Sequence, residues 1–324
     1  MTSDLPPPMS SRSLADFSSS NRIFASGTRP PNDKIVPGEP LLSFRDISIG
    51  FEERDVLKGI SLDISRGETK VLFGESGTGK TLLMKMAAGL IRPDSGTITV
   101  MGQDVTAMPE KELLDFRREI GFVFQEGALF DSMTVAENVS FRLREEATNE
   151  EEIDSRVRES LRFVEMEQAI DKYPAELSGG MRRRVSIARA LVDRPPIVMY
   201  DSPTAGLDPV TSQTIINLIL RGRDLQNVTS LLATHRVQDA FGLANYRFDK
   251  ASNRVVPLSG NVDSNERLDL AGRERLAESG QERNPANPTS VLVLRDGKIY
   301  YQGPADDVLR STDPYIKRFL DSAE

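Results

Sequence analysis

An eight-residue loop constrains the fold of this chain more than any other feature of its sequence. It follows strand-forming residues at 69–73, opens a helical pattern at 80–90, and fits G-x-x-x-x-G-K-[ST] at every fixed position. The loop consists of Gly74, Glu75, Ser76, Gly77, Thr78, Gly79, Lys80 and Thr81. Its backbone N–H groups and the start of the helix can surround phosphate oxygens. All eight residues are therefore predicted to bind phosphate, with Lys80 reaching the β- and γ-phosphates and Thr81 binding Mg²⁺.

A second strand supplies the other predicted ligand of that magnesium ion. Residues 197–200 are all apolar, and Asp201 follows them directly. A buried strand that ends in a carboxylate at the carboxyl edge of a parallel sheet is where a magnesium ligand belongs. Apolar strands that end in Asp are common, so this prediction depends on the phosphate loop.

The remaining chain alternates between strand-like and helical patterns, which indicates an α/β fold with a parallel sheet covered by helices. Strands are predicted at 41–44, 60–64, 69–73, 97–100, 120–124, 197–200, 230–234, 291–294 and 298–301. Helices are predicted at 80–90, 110–118, 150–167, 182–192 and 209–225. Turns at Arg66-Gly67 and Asp296-Gly297 predict that the first and last strand pairs are antiparallel and flank the parallel core.

Two segments are predicted to lie outside the packed core. Residues 1–40 are rich in proline and serine, and they are expected to form a disordered tail. Residues 249–290 are rich in Asn, Glu, Arg, Gly and Pro, and they are expected to form a solvated insertion. Residues 41–324 then form one large domain that contains the insertion.

Composition excludes several classes of protein. The chain has no cysteine and one histidine, which excludes disulfides, thiolate metal sites and His-rich metal sites. The net charge of −8 argues against a nucleic-acid partner. No apolar run is long enough to span a bilayer, and the chain does not begin with a secretory signal pattern.

A short segment at 177–181 separates families that share the first two motifs. Leu177-Ser178-Gly179-Gly180-Met181 resembles L-S-G-G-Q, the signature of the ATP-binding cassette (ABC) family, with Met in place of Gln. The resemblance implies a P-loop NTPase ABC cassette with a parallel core sheet, an antiparallel β flank and a helical subdomain at about 126–180. It also implies that Ser178, Gly179 and Gly180 contact the ATP held by a second ATP-binding subunit, expected to be another copy of this chain.

Other positions follow the same family pattern in order. Phe51 is placed to stack on adenine, although a core role is the alternative. Gln125 matches the glutamine that contacts Mg²⁺ and the attacking water, and Asp208 ends a segment that resembles the D-loop. His235 matches the histidine that senses the γ-phosphate, with a structural histidine as the alternative.

One position departs from the family. Ser202 stands where the family has a glutamate that polarises the attacking water. A hydroxyl cannot accept a proton as a carboxylate does, and loss of a general base slows a reaction by roughly 10²–10⁴-fold. ATP binding is expected to survive, so the chain is either an ATPase of uncertain rate or an ATP-dependent dimerising clamp.

Three stretches are similar to the Mla-type phospholipid-transport ATPases: residues 76–81, 124–139 and 178–185. The similarity implies an integral-membrane permease, an MCE-domain lipid-binding protein, and a location on the cytoplasmic face of the plasma membrane. An importer of another small substrate is the nearest alternative. A soluble ABC ATPase of translation or DNA repair is a further alternative, but those proteins usually carry two cassettes or a long coiled-coil insertion.

Overall fold

The computed structural model describes residues 39–52, 54–145, 149–258, 288–309 and 311–321. These residues belong to one compact unit, 34–324. The predicted tail at 1–40 lies outside the described residues, except for Glu39 and Pro40.

The regular elements alternate along the chain as the α/β prediction expects. The strands are β1 (Leu42–Phe51), β2 (Arg54–Ile64), β3 (Thr69–Phe73), β4 (Ser95–Val100), β5 (Gln103–Asp104), β6 (Ile120–Val123), β7 (Ile197–Asp201), β8 (Thr229–Thr234), β9 (Tyr246–Asp249), β10 (Arg254–Pro257), β11 (Thr289–Arg295) and β12 (Lys298–Pro304). The helices are α1 (Lys80–Ala87), α2 (Glu110–Arg117), α3 (Val135–Glu145), α4 (Glu150–Phe163), α5 (Gly179–Leu191), α6 (Pro209–Gln226), α7 (Val237–Asn245), α8 (Ala305–Leu309) and α9 (Pro314–Asp321). Within the described ranges, no helix has the length and apolar character needed to cross a bilayer.

A six-stranded sheet forms the centre, in the order β12-β11-β3-β8-β7-β6. Its strands are parallel except for the edge strand β12. Every residue of β3, β7 and β8 is buried, as expected for parallel strands covered on both faces. The predicted parallel core sheet is therefore confirmed.

A four-stranded antiparallel sheet, β2-β1-β4-β5, flanks the core, which confirms the predicted β flank. Helix α1 contributes Leu83 and Met84 to the hydrophobic cluster that the two sheets share. The phosphate loop precedes α1, so packing on both sides of this helix holds the loop in place.

The two glycine turns have different roles, and the prediction for one of them was wrong. The Asp296-Gly297 turn joins the antiparallel pair β11–β12, as predicted. The Arg66-Gly67 turn instead connects β2 of the flank to β3 of the parallel core. The Gly67 N–H donates to Thr229 Oγ1 at 2.9 Å, which fastens this turn to the start of β8.

The sequence patterns placed some helix ends incorrectly and missed α3, α7, α8 and α9. Helix α5 begins at Gly179, three residues before the predicted start, because Ser178 caps it. Helices α3, α4 and α5 pack together, and α5 also packs against strand β6 of the central sheet. The start of α3 has a capping box, Thr134 to Glu137, which is a signal that the sequence does contain.

A strand lies within the segment predicted to be a solvated insertion. Residues Arg254–Pro257 form β10, which pairs with β9 and is partly buried, so the insertion cannot begin at 249. At the other end, Thr289 and Ser290 belong to β11. Residues 259–287 lie outside the described residues.

Candidate nucleotide site

The phosphate loop has a backbone that only glycine permits at two positions. Gly74 and Gly79 have φ values of 147° and 97°. A Cβ at Gly74 would lie 2.8 Å from the Leu294 carbonyl oxygen, and one at Gly79 would lie 2.5 Å from Leu57 Cδ2. These glycines therefore let the loop bend sharply between β3 and α1 while packed against both sheets.

Lys80 points back into the loop that precedes it. Its Nζ donates to the carbonyl oxygens of Gly74 and Glu75 at 2.8 and 2.7 Å. Burial lowers the pKa of Lys80, while the negative charges of Asp201 and Glu75 oppose that shift. The loop thus holds a cation at its centre, where phosphate oxygens can replace the carbonyl oxygens as acceptors.

The two predicted magnesium ligands lie next to each other. Thr81 Oγ1 donates to Asp201 Oδ1 at 3.0 Å, although the two residues are 120 positions apart. Asp201 is the last residue of β7 and is buried. A hydroxyl and a carboxylate beside a phosphate loop are the oxygen donors that Mg²⁺ uses with a nucleotide, so the residues fit the ion.

Ser202 follows Asp201 in an unusual backbone conformation. Its φ is 47°, in the left-handed region. Its N–H donates to the Ala233 carbonyl oxygen at 2.9 Å, which ties it to β8. The side chain is partly exposed, so Ser202 lies at the site edge with a fixed backbone and without a carboxylate.

Gln125 is exposed just after β6. It lies in a turn whose carbonyl oxygens, before and after Gln125, accept hydrogen bonds from helix α5. Arg183 donates to the Phe124 carbonyl oxygen at 2.7 Å. Arg189 donates to the carbonyl oxygens of Ala128 and Gly127 at 2.8 and 2.9 Å. Burial lowers the pKa of Arg183, and the charges of Glu126 and Asp201 oppose the shift. The sequence analysis missed both arginines, because nothing in a run of basic residues shows which of them reach a distant turn.

Phe51 and His235 are both exposed at the ends of strands. Phe51 ends β1 and is 53% exposed, which does not fit the alternative of a core phenylalanine. His235 directly follows β8, one residue beyond the buried Thr234. Both side chains are available to a ligand.

Ser178, Gly180 and Asp208 lie at the starts of helices α5 and α6, which approach each other between Gly180 and Thr211. Ser178 caps α5, and Asp208 caps α6 by accepting from the Thr211 N–H at 2.9 Å. These hydrogen bonds from Thr211 hold the pKa of Asp208 below its usual range. A Cβ at Gly180 would lie 2.3 Å from Thr211 Cγ2. Ser178 and Gly179 are exposed.

The phosphate loop, the Thr81–Asp201 pair and the two sheets together define a nucleotide-binding cassette. A family model described as ABC transporter matches residues 57–205. The chain is 33% identical over 217 residues to the intermembrane phospholipid transport system ATP-binding protein MlaF of Haemophilus influenzae, which covers 67% of this chain and 82% of that protein. The chain belongs to the ABC transporter ATP-binding family.

Other similarities show how widely this family extends. The chain is 36% identical over 231 residues to the methionine import ATP-binding protein MetN of Bifidobacterium longum, covering 69% of this chain. It spans only 57% of that protein's length. A solved structure described as the dimeric, post-hydrolysis ATP-binding cassette MJ0796 bound to ADP and Pi has a TM-score of 0.63 at 25% identity, covering 82% of this chain and 98% of that one.

Replacing Gly180 by alanine tests the packing between the starts of α5 and α6. Gly180→Ala should lower the free energy of unfolding by about 1–3 kcal/mol, measured by denaturant titration, because the new methyl group overlaps Thr211. The control, Thr211→Ser, removes Cγ2 but retains the hydroxyl that bonds Asp208. The double variant should recover most of the loss; equal stability of the parent and Gly180→Ala would contradict this packing.

Proposed function

We propose that this chain binds Mg-ATP in the loop at 74–81 and hydrolyses it as the ATP-binding subunit of a transporter. The observation that carries the proposal is the convergence of Lys80, Thr81 and Asp201 at the carboxyl edge of the parallel sheet. The loop N–H groups and the Lys80 ammonium would bind the phosphates in the ground state. Thr81, Asp201 and Gln125 would hold Mg²⁺, which supplies charge neutralisation when bound.

We propose further that two copies of the chain enclose the nucleotide. Ser178 and Gly179 are exposed at the start of α5, and their described neighbours are Met181 and Leu207 of the same chain. An exposed hydroxyl at a helix start can bind an anion presented by another molecule. The similarity to a cassette described as dimeric supports this arrangement, in which Ser178 of one copy contacts the ATP bound by the other.

The residue at position 202 affects the expected rate of ATP hydrolysis at this site. Ser202 cannot act as a general base, so water activation would depend on orientation by Gln125 and His235. The proposed enzyme is therefore a slow ATPase, and the alternative is a clamp that dimerises on ATP with little hydrolysis. Both alternatives share the same binding site and differ only in the chemical step.

The transported substrate is proposed to be a phospholipid. The similarity to MlaF, which covers most of that protein, and the three Mla-like stretches support this choice. A methionine-type importer is the second candidate, because of the similarity to MetN. The proposed partners are an integral-membrane permease and an MCE-domain lipid-binding protein, with the chain on the cytoplasmic face of the membrane.

The surface beside Gln125 suits a permease. Phe130 is 43% exposed, packs against Phe141 in a tilted arrangement with ring centroids 4.8 Å apart, and lies under the Arg189 guanidinium. Next to it, Met133, Glu137, Phe141, Arg144 and Glu145 line a cavity of about 340 Å³. Arg189 also holds the turn after Gln125, so a partner bound at Phe130 would contact the segment that carries Gln125.

Lys80→Ala tests the phosphate site. It should weaken Mg-ATP binding by roughly 10–100-fold in calorimetry, because a charge-assisted hydrogen bond contributes about 1.5–3 kcal/mol. ATP-driven dimerisation, measured by sedimentation, should be lost. Lys85→Ala, on the same helix, should bind and dimerise as the parent does. Dimerisation of Lys80→Ala equal to that of the parent would refute the two-copy site.

Ser202→Glu tests whether the missing base limits turnover. The variant should raise kcat by roughly tenfold or more with ATP affinity nearly unchanged, because a base acts in the transition state. Ser202→Gln has the same size without a carboxylate and should not raise kcat. A flat or lower rate for Ser202→Glu would indicate a site built around serine.

Phe130→Asp tests the permease surface and the substrate. The variant should lose co-purification with its permease, while Leu114→Asp, at a residue that is 57% exposed on α2, should retain it. The parent complex, with an MCE-domain protein, should move fluorescent phospholipid between vesicles only with ATP. Uptake of methionine without lipid movement would instead favour the importer.

A further inference from the structure

We propose that Asp239 of α7 is a positioning residue that fastens the segment carrying Ser202 to the segment carrying His235. Two hydroxyl groups from different segments donate to the same carboxylate oxygen. Thr204 Oγ1 and Thr234 Oγ1 each lie 2.6 Å from Asp239 Oδ2. Thr204 lies two residues after Ser202, and Thr234 directly precedes His235. The inference rests on the proposed function, since it assigns a role in the same ATP site.

All three side chains are enclosed. Thr204 and Thr234 are 1% exposed, and Asp239 is 2% exposed. Burial raises the pKa of Asp239, while the two threonine hydrogen bonds and the charges of Arg236 and His235 oppose the shift. A buried carboxylate is costly for stability unless hydrogen bonds compensate it, and here two threonine hydroxyls donate to one of its oxygens. Because the two hydroxyls come from the two segments of the candidate site, this compensation also joins those segments.

Arg236 makes a second connection between the same segments. Its backbone N–H donates to Thr234 Oγ1 at 3.0 Å. Its guanidinium donates to the Thr204 carbonyl oxygen at 3.3 Å and to Ser212 Oγ at 2.7 Å. Together with the Ser202 N–H bond to Ala233, these contacts join the two segments at several points over a few residues.

The connection between the two segments matters because the proposed site has no carboxylate at position 202 to act as a general base. Water activation would then depend on how precisely the remaining side chains are oriented. Ser202 keeps a left-handed backbone, which non-glycine residues adopt where the surroundings impose it. A displacement of about 1 Å in a positioned group can cost 10²-fold in rate. Loss of the two hydrogen bonds to Asp239 would let Ser202 and His235 move relative to each other, while the phosphate loop would stay intact.

The experiment compares disruptive and conservative variants in the full-length chain. Asp239→Ala and Thr204→Val should lower kcat per ATP-binding site by about tenfold or more, with ATP affinity within about twofold of the parent. Asp239→Asn and Thr204→Ser should retain most activity, because both threonine bonds go to one oxygen and an amide oxygen can accept them. Titrating the ATP sites separates lost turnover from lost folded protein.

His235 offers a second readout that does not depend on activity. It is the chain's only histidine, so its ring Hε1 proton gives one NMR signal that needs no further assignment. Asp239→Ala should shift or broaden this signal, while Asp239→Asn should leave it close to that of the parent, with all three proteins measured at the same pH.

The outcomes separate the two proposals. If the parent binds ATP without hydrolysing it, the ATPase proposal fails, and the His235 signal alone decides the positioning role. The positioning role is overturned if Asp239→Ala leaves kcat and the His235 signal unchanged. It is also overturned if Asp239→Asn is as impaired as Asp239→Ala, because charge rather than the shared oxygen would then be what matters.

Discussion

Hydrogen bonds between the central strands set Phe73 beside Thr234 and Asp201 beside Ala233. Because β3, β8 and β7 are parallel, this register brings their carboxyl ends to one edge of the sheet. The phosphate loop directly follows β3, and His235 directly follows β8. Asp201 is the last residue of β7. A shift of one residue in β7 would turn Asp201 to the other face and separate it from Thr81. The chemistry of the proposed site therefore depends on backbone pairing among three fully buried strands.

The parts of the site that the sequence predicted are the parts encoded locally. Consecutive residues specify the loop at 74–81, and the strand before Asp201 is a short apolar run. The turn at Arg66-Gly67 was assigned to the wrong pairing, because its partner Thr229 is 162 residues away. Asp239 and Arg183 were missed for the same reason, since each acts on segments that the chain brings close only after folding. Helix α3 was missed although its capping box is local; its buried Asn138 interrupts the apolar pattern.

The described side-chain hydrogen bonds of Lys80, Thr81 and Asp201 do not involve the surface at Phe130. This separation explains why relatives named for methionine and for phospholipid transport resemble the chain to a similar degree. Function resides in particular sites and not in the fold as a whole, so similarity in this domain says little about the transported substrate.

The internal hydrogen bonds of Lys80 have an energetic consequence for selectivity among anions. Any anion that enters the loop must displace the Gly74 and Glu75 carbonyl oxygens from the ammonium, so its net gain is a difference between two sets of contacts. A small monovalent anion replaces those contacts with few of its own. A triphosphate also reaches the loop N–H groups and the Thr81–Asp201 pair, which lets it overcome the competition. The two carbonyl oxygens therefore compete with any anion for the Lys80 ammonium, which raises the threshold for occupancy of the loop.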